Sequence, residues 1–334
     1  MNALQIGDFV IQSELGSGSA GTAYSATHPE DGRLVAIKVL SPEMSADESM
    51  QRRFVREMSV MSKLQHPNVV QYITGGLHDD RFYYVMEHVD SSTLKDILST
   101  RVALSWREAA ECASQICEAL QCAHDRDVIH RDLKPGNLFL SSDGLIKLGD
   151  FGLARDLGGE RLTVEGLTVG TVRYMPPEQI AGEADLTGAT DLYALGCLLY
   201  EMVTGQVPYN GSTTFEILDQ HHSAAPPDAR AVAPNCPAEL AALIRQLLSK
   251  KPEDRPSDAN AVKSRLDAIL QADSDGSANS SDELGDESAQ PTPNLTARLK
   301  SGGSETSREI SWKPLAAIGL IIVVVIALYN LFGK

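Results

Sequence analysis

The sequence predicts an α+β fold of two unequal lobes, followed by a linker and one C-terminal hydrophobic helix. Three observations carry this expectation. Apolar residues alternate with a period of two in several segments before about residue 89 and recur at helical spacing after about residue 92. Residues 271–313 turn Ser-, Gly- and acid-rich, with few sizeable apolar side chains. From Leu315 to Phe332 there is no charged side chain at all.

The first lobe, about residues 8–89, opens with β-like segments. "DFVIQSEL" and "TAYSATH" alternate apolar and polar residues, and "RLVAIKVL" is a short, mostly apolar strand. A helix follows, because Ser45 and Glu48 have capping-box spacing and Phe54, Met58, Met61 and Leu64 recur on one helical face. "HPNVVQYITGGLHDDRFYYVMEHV" reads as two strands around an Asp-Asp turn. The second lobe, about residues 90–270, is helical. Its clearest start is "SWRE", a capping box from Ser105 to Glu108 that opens a helix reaching about His124.

Composition narrows the class. The chain has 334 residues and a formal net charge of −16. So acidic a chain repels phosphates through its global field, and nucleic acid is not an expected partner. Five cysteines, an odd number with no C-x-x-C pair, argue against a disulfide framework and a zinc site. Reduced, buried thiols are expected instead. The N-terminus lacks a basic start and an apolar run, so it does not read as a secretory signal.

The residues that carry chemistry come in a fixed order. Gly16, Gly18 and Gly21 form G-x-G-x-x-G in "ELGSGSAGTAY". A dinucleotide site needs this pattern to open a helix. Here a strand follows, and a strand–loop–strand flap presents backbone N–H groups to phosphates instead. Lys38 ends the apolar strand "VAIK". A snorkelling lysine is the ordinary outcome for that residue type, but Glu57 lies on the next helix, within reach of an inward-facing ammonium. In "HRDLKPGN", residues 130–137, Asp132 is placed to orient and deprotonate an attacking hydroxyl. Lys134 is placed to neutralise a transferred phosphoryl group. Asn137, with Asp150 of "DFG", supplies hard oxygen ligands for Mg2+. Each residue alone would be an ordinary loop residue; the ordered set is not explained by chance.

Over about residues 8–270 the chain resembles the eukaryotic-type (Hanks-type) Ser/Thr protein kinase family, and within it the bacterial membrane-anchored members. The resemblance rests on "GSGSAG", "VAIK" with Glu57, "HRDLKPGN", "DFG", "GTVRYMPPE" and "DLYALG". It implies the bilobal protein-kinase fold with ATP in the cleft and Mg2+ or Mn2+ as the metal. Carried over position by position, Lys38 and Glu57 are the paired lysine and helix acid. Asp132 is the catalytic base with Lys134 beside it, and Asn137 and Asp150 are the metal ligands. The Gly-rich loop is Gly16, Ser17, Gly18, Ser19, Ala20 and Gly21. Met86 is the gatekeeper, with Glu87 to Val89 lining the adenine between Ala23, Ala36 and Phe139. Tyr72, Met61, Phe151 and His130 form an apolar spine. Arg255 pairs with Glu178, and Asp191 braces the catalytic loop. "DLKP" and Thr171 in "GTVRY" resemble the Ser/Thr branch, with Thr171 in the substrate pocket.

The chain departs from the family pattern at four places. Ala20 replaces the aromatic tip of the Gly-rich loop, and Ala23 replaces the usual valine over the adenine. Pro176 stands where alanine is usual. Gly136 removes an acidic position that favours basic substrates, so no basic motif preference is expected. Arg131, beside the base, is a cation that a phosphorylated activation segment would pair. Autophosphorylation is therefore expected at Thr163 or Thr168.

The residues distinguish an active kinase from a pseudokinase scaffold by the catalytic set, which is complete. Residues 271–313 read as a disordered acidic linker. Residues 314–332 read as a single membrane-spanning helix at the short end of the span range. Trp312 and Tyr329 flank it, and Arg298, Lys300, Arg308 and Lys313 lie on its kinase side. These features place the kinase domain in the cytoplasm, with the lipid bilayer and protein Ser/Thr hydroxyls as partners. Only Gly333 and Lys334 follow, so control is expected through the cytoplasmic domain, the tether, or self-association of helices in the membrane.

Overall fold

The computed structural model describes residues 5–18, 21–42, 45, 48–90, 92–151, 169–278 and 293–301. The first lobe is a six-stranded antiparallel sheet in the order β1-β2-β3-β4-β6-β5. Its strands are β1 (Gln5–Ile6), β2 (Phe9–Gly18), β3 (Gly21–Thr27), β4 (Leu34–Leu40), β5 (Tyr72–His78) and β6 (Arg81–Glu87). The strands read from period-two alternation are present. Asp79 and Asp80 both take positive φ, 47° and 57°, which lets β5 and β6 close in a tight hairpin whose twist suits the strands.

One helix, α1 (Glu48–Met61), packs on the sheet. Its Phe54 and Met58 join Leu40 of β4 and Tyr84 of β6 in a small apolar cluster. The Ser45 hydroxyl accepts the Phe82 amide of β6 at 3.2 Å, so it ties the helix entrance to the sheet.

The second lobe is helical: α2 (Leu94–Thr100), α3 (Trp106–His124), α4 (Val169–Val172), α5 (Pro177–Ile180), α6 (Gly188–Thr204), α7 (Thr214–Ser223), α8 (Ala238–Leu247) and α9 (Ala259–Ala278). The capping box read from "SWRE" is formed. The Ser105 hydroxyl accepts the Glu108 amide, and Glu108 accepts the Ser105 amide at 2.9 Å. Arg101 grips the same carboxylate with two N–H groups at 3.0 Å. Burial opposes the charge on Glu108, but these bonds overcome it and lower its pKa. Helix α3 packs against α6 and α9. Almost every side chain of α6 is buried, so it forms the axis of the lobe. A short hairpin, β7 (Leu138–Leu140) with β8 (Ile146–Leu148), lies at the junction of the lobes. Val70 donates to the Leu148 carbonyl at 2.9 Å and Leu148 to the Asn68 carbonyl at 2.8 Å, which joins the first lobe to this hairpin. All five cysteines are free; Cys112, Cys117, Cys197 and Cys236 are buried, and burial pushes these thiols up in pKa.

The structure departs from the expected linker at both ends. Helix α9 continues to Ala278, past the expected boundary at 270. Residues 295–301 form a further helix, α10 (Leu295–Ser301), seated on the second lobe with Leu299 fully buried. The reason lies in two residues and the surface they meet. Composition averaged over the segment is polar, yet Leu295 and Leu299 are four residues apart and meet one apolar surface. No helix among the described residues is long and apolar enough to cross a membrane. The expected span at 314–332 lies outside the described residues.

Candidate active site

Register places one set of side chains on the cleft face of the sheet. On β4, Ala36 and Lys38 are two apart and share a face. Their cross-strand partners are Met86 and Tyr84 on β6, and Lys38 also faces Ala23 on β3. The sheet thus lines the cleft with Ala23, Ala36, Met86 and Lys38. Ala23 and Ala36 keep that wall shallow enough for a planar ring.

The Gly-rich loop is a strand–turn–strand. Gly18 pairs with Gly21 at the tip; Ser19 and Ala20 lie outside the described residues. Gly21 has φ +139°, and a Cβ there would sit 2.0 Å from the Val39 carbonyl oxygen. No side chain fits without moving the β3–β4 pairing. Gly21→Ala should therefore destabilise the first lobe, by about 1–3 kcal/mol for a strained backbone. A thermal-melting comparison with the parent chain checks this, an unchanged melting temperature being the contrary result.

Across the cleft, the loop after α3 is held from beneath. Asp191, fully buried at the start of α6, accepts the His130 and Arg131 amides, each at 2.8 Å, and bonds His124 Nε2 at 2.8 Å. Burial pushes its pKa up, but these donors outweigh burial and hold it below the usual carboxylate range. Arg131 takes positive φ, 62°, a left-handed turn that aims the next residue into the cleft. His130 Nε2 reaches the Gly149 carbonyl at 3.0 Å, and its ring packs on Phe151 with centroids 4.8 Å apart. Of the expected spine, His130 and Phe151 are in contact, Met61 and Phe151 belong to one large core cluster, and Tyr72 packs against that cluster.

Asp132, Lys134 and Asn137 converge. Lys134 Nζ donates to Asp132 Oδ2 at 2.7 Å. Asn137 Nδ2 donates to the Asp132 carbonyl at 2.8 Å and to Oδ2 at 3.3 Å. With its amide nitrogen committed to Asp132, Asn137 keeps a carbonyl oxygen for a cation. The Gly149 amide donates to the main-chain carbonyl of Asn137 at 2.9 Å, which fixes Asp150 relative to this loop. A Cβ on Gly149 would meet the Phe139 ring at 2.9 Å and Val70 at 3.0 Å, so only glycine permits this packing.

Asp150 closes the constellation. Its Oδ1 accepts Lys38 Nζ at 2.8 Å and the Tyr84 hydroxyl at 3.1 Å. For Lys38, burial disfavours the charge, but Tyr84 and Asp150 outweigh it and the pKa is raised. For Asp150, burial acts upward and the Lys38 charge, with its hydrogen bond, carries the pKa down. Both groups are therefore charged near neutrality. Glu57 lies within α1, but its side chain is outside the described residues; among the described side chains, Lys38 pairs with Asp150. Tyr84 is not among the residues expected from the sequence. It sits two residues before Met86, so strand alternation alone would have put it on the cleft face opposite Lys38.

The remaining expected residues fall into place unevenly. The Glu87 carboxylate accepts Lys147 Nζ at 3.0 and 3.2 Å and the Gln71 amide at 2.9 Å, so it faces the interlobe junction. Phe139 lies on β7 opposite Lys147, and Val89 follows β6. Arg255 grips Glu178 with two parallel bonds of 2.7 and 2.8 Å, and both residues are buried. Thr163 and Thr168 lie outside the described residues. Thr171 lies in α4, its side chain undescribed. A small cavity beside Asp132 is lined by Leu133, Tyr174, Pro176, Gln179 and Thr190. Among the described residues, no cluster of His, Cys, Asp or Glu forms a ready-made metal cage. Asn137 and Asp150 offer a sparse set of hard oxygens, which suits Mg2+ bound jointly with phosphates.

Known proteins resemble this chain in sequence and in fold. The family model described as "Protein kinase domain" matches residues 9–266. The serine/threonine-protein kinase PrkC of Bacillus subtilis is 34% identical over 267 residues, covering 80% of this chain and 41% of that protein. The serine/threonine-protein kinase PknJ of Mycobacterium tuberculosis is 36% identical over 266 residues, covering 78% of this chain and 45% of that protein. The chain thus spans less than half the length of these curated relatives. Among solved structures, the Mycobacterium tuberculosis PknI kinase domain superposes with a TM-score of 0.64 at 27% identity, over 80% of this chain and 98% of that one. By family match, sequence relatives and fold alike, the chain belongs to the protein kinase domain family.

Proposed function

We propose that this chain is an ATP-dependent Ser/Thr protein kinase. The observation that carries the reading is the single bonded loop in which Lys134 and Asn137 hold the Asp132 carboxylate while Asn137 also fixes the strand leading to Asp150. In this reading Asp132 orients the substrate hydroxyl and receives its proton. Lys38 steadies the nucleotide phosphates, and Lys134 offsets charge on the transferring group. Asn137 and Asp150 would hold Mg2+, which supplies charge neutralisation for the phosphates when bound. A nucleotide would meet Glu87 through its main chain, since its carboxylate is engaged elsewhere. Labelled phosphate from ATP should pass to a generic basic protein with Mg2+ or Mn2+. No transfer to that protein or to the chain itself would favour a partner-binding scaffold.

The activation segment is proposed to carry phosphate at Thr163 or Thr168, contributed by the kinase itself. Mass spectrometry should find it in the parent chain and not in Asp132→Asn. Residues 314–332 are proposed as a membrane anchor, with the kinase domain on the cytoplasmic side where ATP is available. The support is the uncharged run with flanking aromatics and the basic residues on its kinase side. Alkaline carbonate extraction should leave the full chain in the membrane fraction; its release would refute a spanning helix.

A further inference from the structure

Helix α10 is a built contact. Leu299 is fully buried and Leu295 is 5% exposed, both in the main apolar core of the second lobe. Asn294 caps the helix by accepting the Ala297 amide at 2.9 Å, while its Nδ2 donates to the Ser142 carbonyl at 3.1 Å. Arg298 forms a two-bond pair with Glu111 of α3. Arg101, already holding Glu108, donates to the Leu299 carbonyl at 3.3 Å. At the centre, the Thr296 hydroxyl donates to the Ser141 carbonyl at 2.7 Å, and Thr296 is 3% exposed. A helix this short is not stable alone in water, so its order comes from the surface beneath it.

We propose that α10 is a releasable clasp on the second lobe, closed by the unmodified Thr296 hydroxyl and held open by phosphorylation of that hydroxyl. The seated helix has no room for a phosphate on a side chain so enclosed. The ester also removes the proton that Thr296 gives to Ser141 and sets negative charge against that carbonyl. Asp143, whose carboxylate bonds the Ser141 hydroxyl, lies in the same turn and adds repulsion. Arg298 lies two residues on, off the Thr296 face of the helix, and is engaged by Glu111; Lys300, four residues on, is exposed to water while Thr296 is buried beneath the helix.

The modification uses the chemistry proposed above. When the clasp opens, Thr296 enters the cleft of another copy of the kinase. Its oxygen bonds to the γ-phosphorus of ATP, the bond from that phosphorus to the β-phosphate oxygen breaks, ADP leaves, and the hydroxyl proton passes to Asp132 and then to solvent. The released state persists because the phosphorylated helix no longer fits its seat.

The test is hydrogen-exchange mass spectrometry of residues 293–301 in the full chain in detergent, with phosphosite mapping after Mg2+-ATP. A generic protein substrate shares the tube. The parent chain before ATP should be protected. Leu299→Asp, and the milder Arg298→Glu, should exchange this segment more than about tenfold faster and gain phosphate at Thr296 sooner. Thr296→Val should stay protected after ATP. A chain bearing phosphothreonine at 296, introduced during synthesis, should exchange like Leu299→Asp whatever its activity. The proposal is overturned if the parent segment exchanges as fast as Leu299→Asp. It is also overturned if the phosphothreonine chain stays protected, or if Thr296 stays unmodified in Leu299→Asp while the generic protein is phosphorylated. An unphosphorylated generic protein would count against the kinase reading, and the phosphothreonine chain would still decide the clasp.

Discussion

Asp132→Asn should lower phosphoryl transfer by about 10²–10⁴-fold, the usual contribution of a positioned general base, while leaving the fold intact. The expectation of an intact fold follows from the loop's bonding. Lys134 and Asn137 both donate to Asp132 Oδ2. An asparagine can present its carbonyl oxygen to the same two donors, so the loop keeps its shape and loses only the proton acceptor. Steady-state transfer, beside circular dichroism and melting of the same preparation, checks both halves. A variant that retains parental turnover would remove Asp132 from the proposed role. A variant that unfolds would make the loop's geometry, and not its chemistry, the cause of any loss.

The second large effect is on stability. Arg255→Ala should cost about 3–5 kcal/mol, the typical penalty for stranding one partner of a buried ion pair. Glu178 would remain 5% exposed with only Thr190 as a described side-chain partner, at 3.2 Å. The carbonyls of Ser249, Ala189 and Lys250 would each lose an Arg255 donor as well. Urea unfolding measures the loss. The pair Arg255→Met with Glu178→Met separates causes, because replacing both charges with apolar groups of similar volume removes the stranded charge. Recovery of much of the loss is expected. A double variant as unstable as Arg255→Ala would show that the lost carbonyl donors dominate instead.

Much of the frame was legible because it depends on short-range rules. Period-two alternation found β2 and β3, and a short apolar run found β4. Asp79 and Asp80 marked the hairpin, since both residues tolerate left-handed backbone. The Ser105–Glu108 spacing gave a helix start that the structure reproduces atom for atom. The residues of the cleft were legible as a set, since their order along the chain carries information that no single residue does. Bonding partners were less legible. Glu87 lies next to the expected gatekeeper, yet its carboxylate turns to Lys147, a residue sixty positions away whose approach is fixed by tertiary packing. Tyr84 was hidden because a tyrosine in an apolar strand reads as core, and its hydroxyl finds Asp150 only when the lobes meet.

Helix α10 shows a different limit. Local composition around Leu295 and Leu299 is that of a linker, and no propensity rule assigns order to so short a helix. Its stability comes from a surface built by Arg101, α3 and the β7–β8 turn, residues far away in sequence. Disorder arguments weigh the apolar content of a segment against its ordering entropy. They do not count a partner surface elsewhere in the same chain.

The most direct test of the central claim is phosphoamino-acid analysis of a generic protein incubated with labelled ATP and Mg2+, using parent chain and Asp132→Asn purified side by side. Phosphoserine and phosphothreonine are expected with the parent chain and neither with the variant. Equal labelling by both, or no labelling by a folded parent chain shown to bind ATP, would contradict that claim.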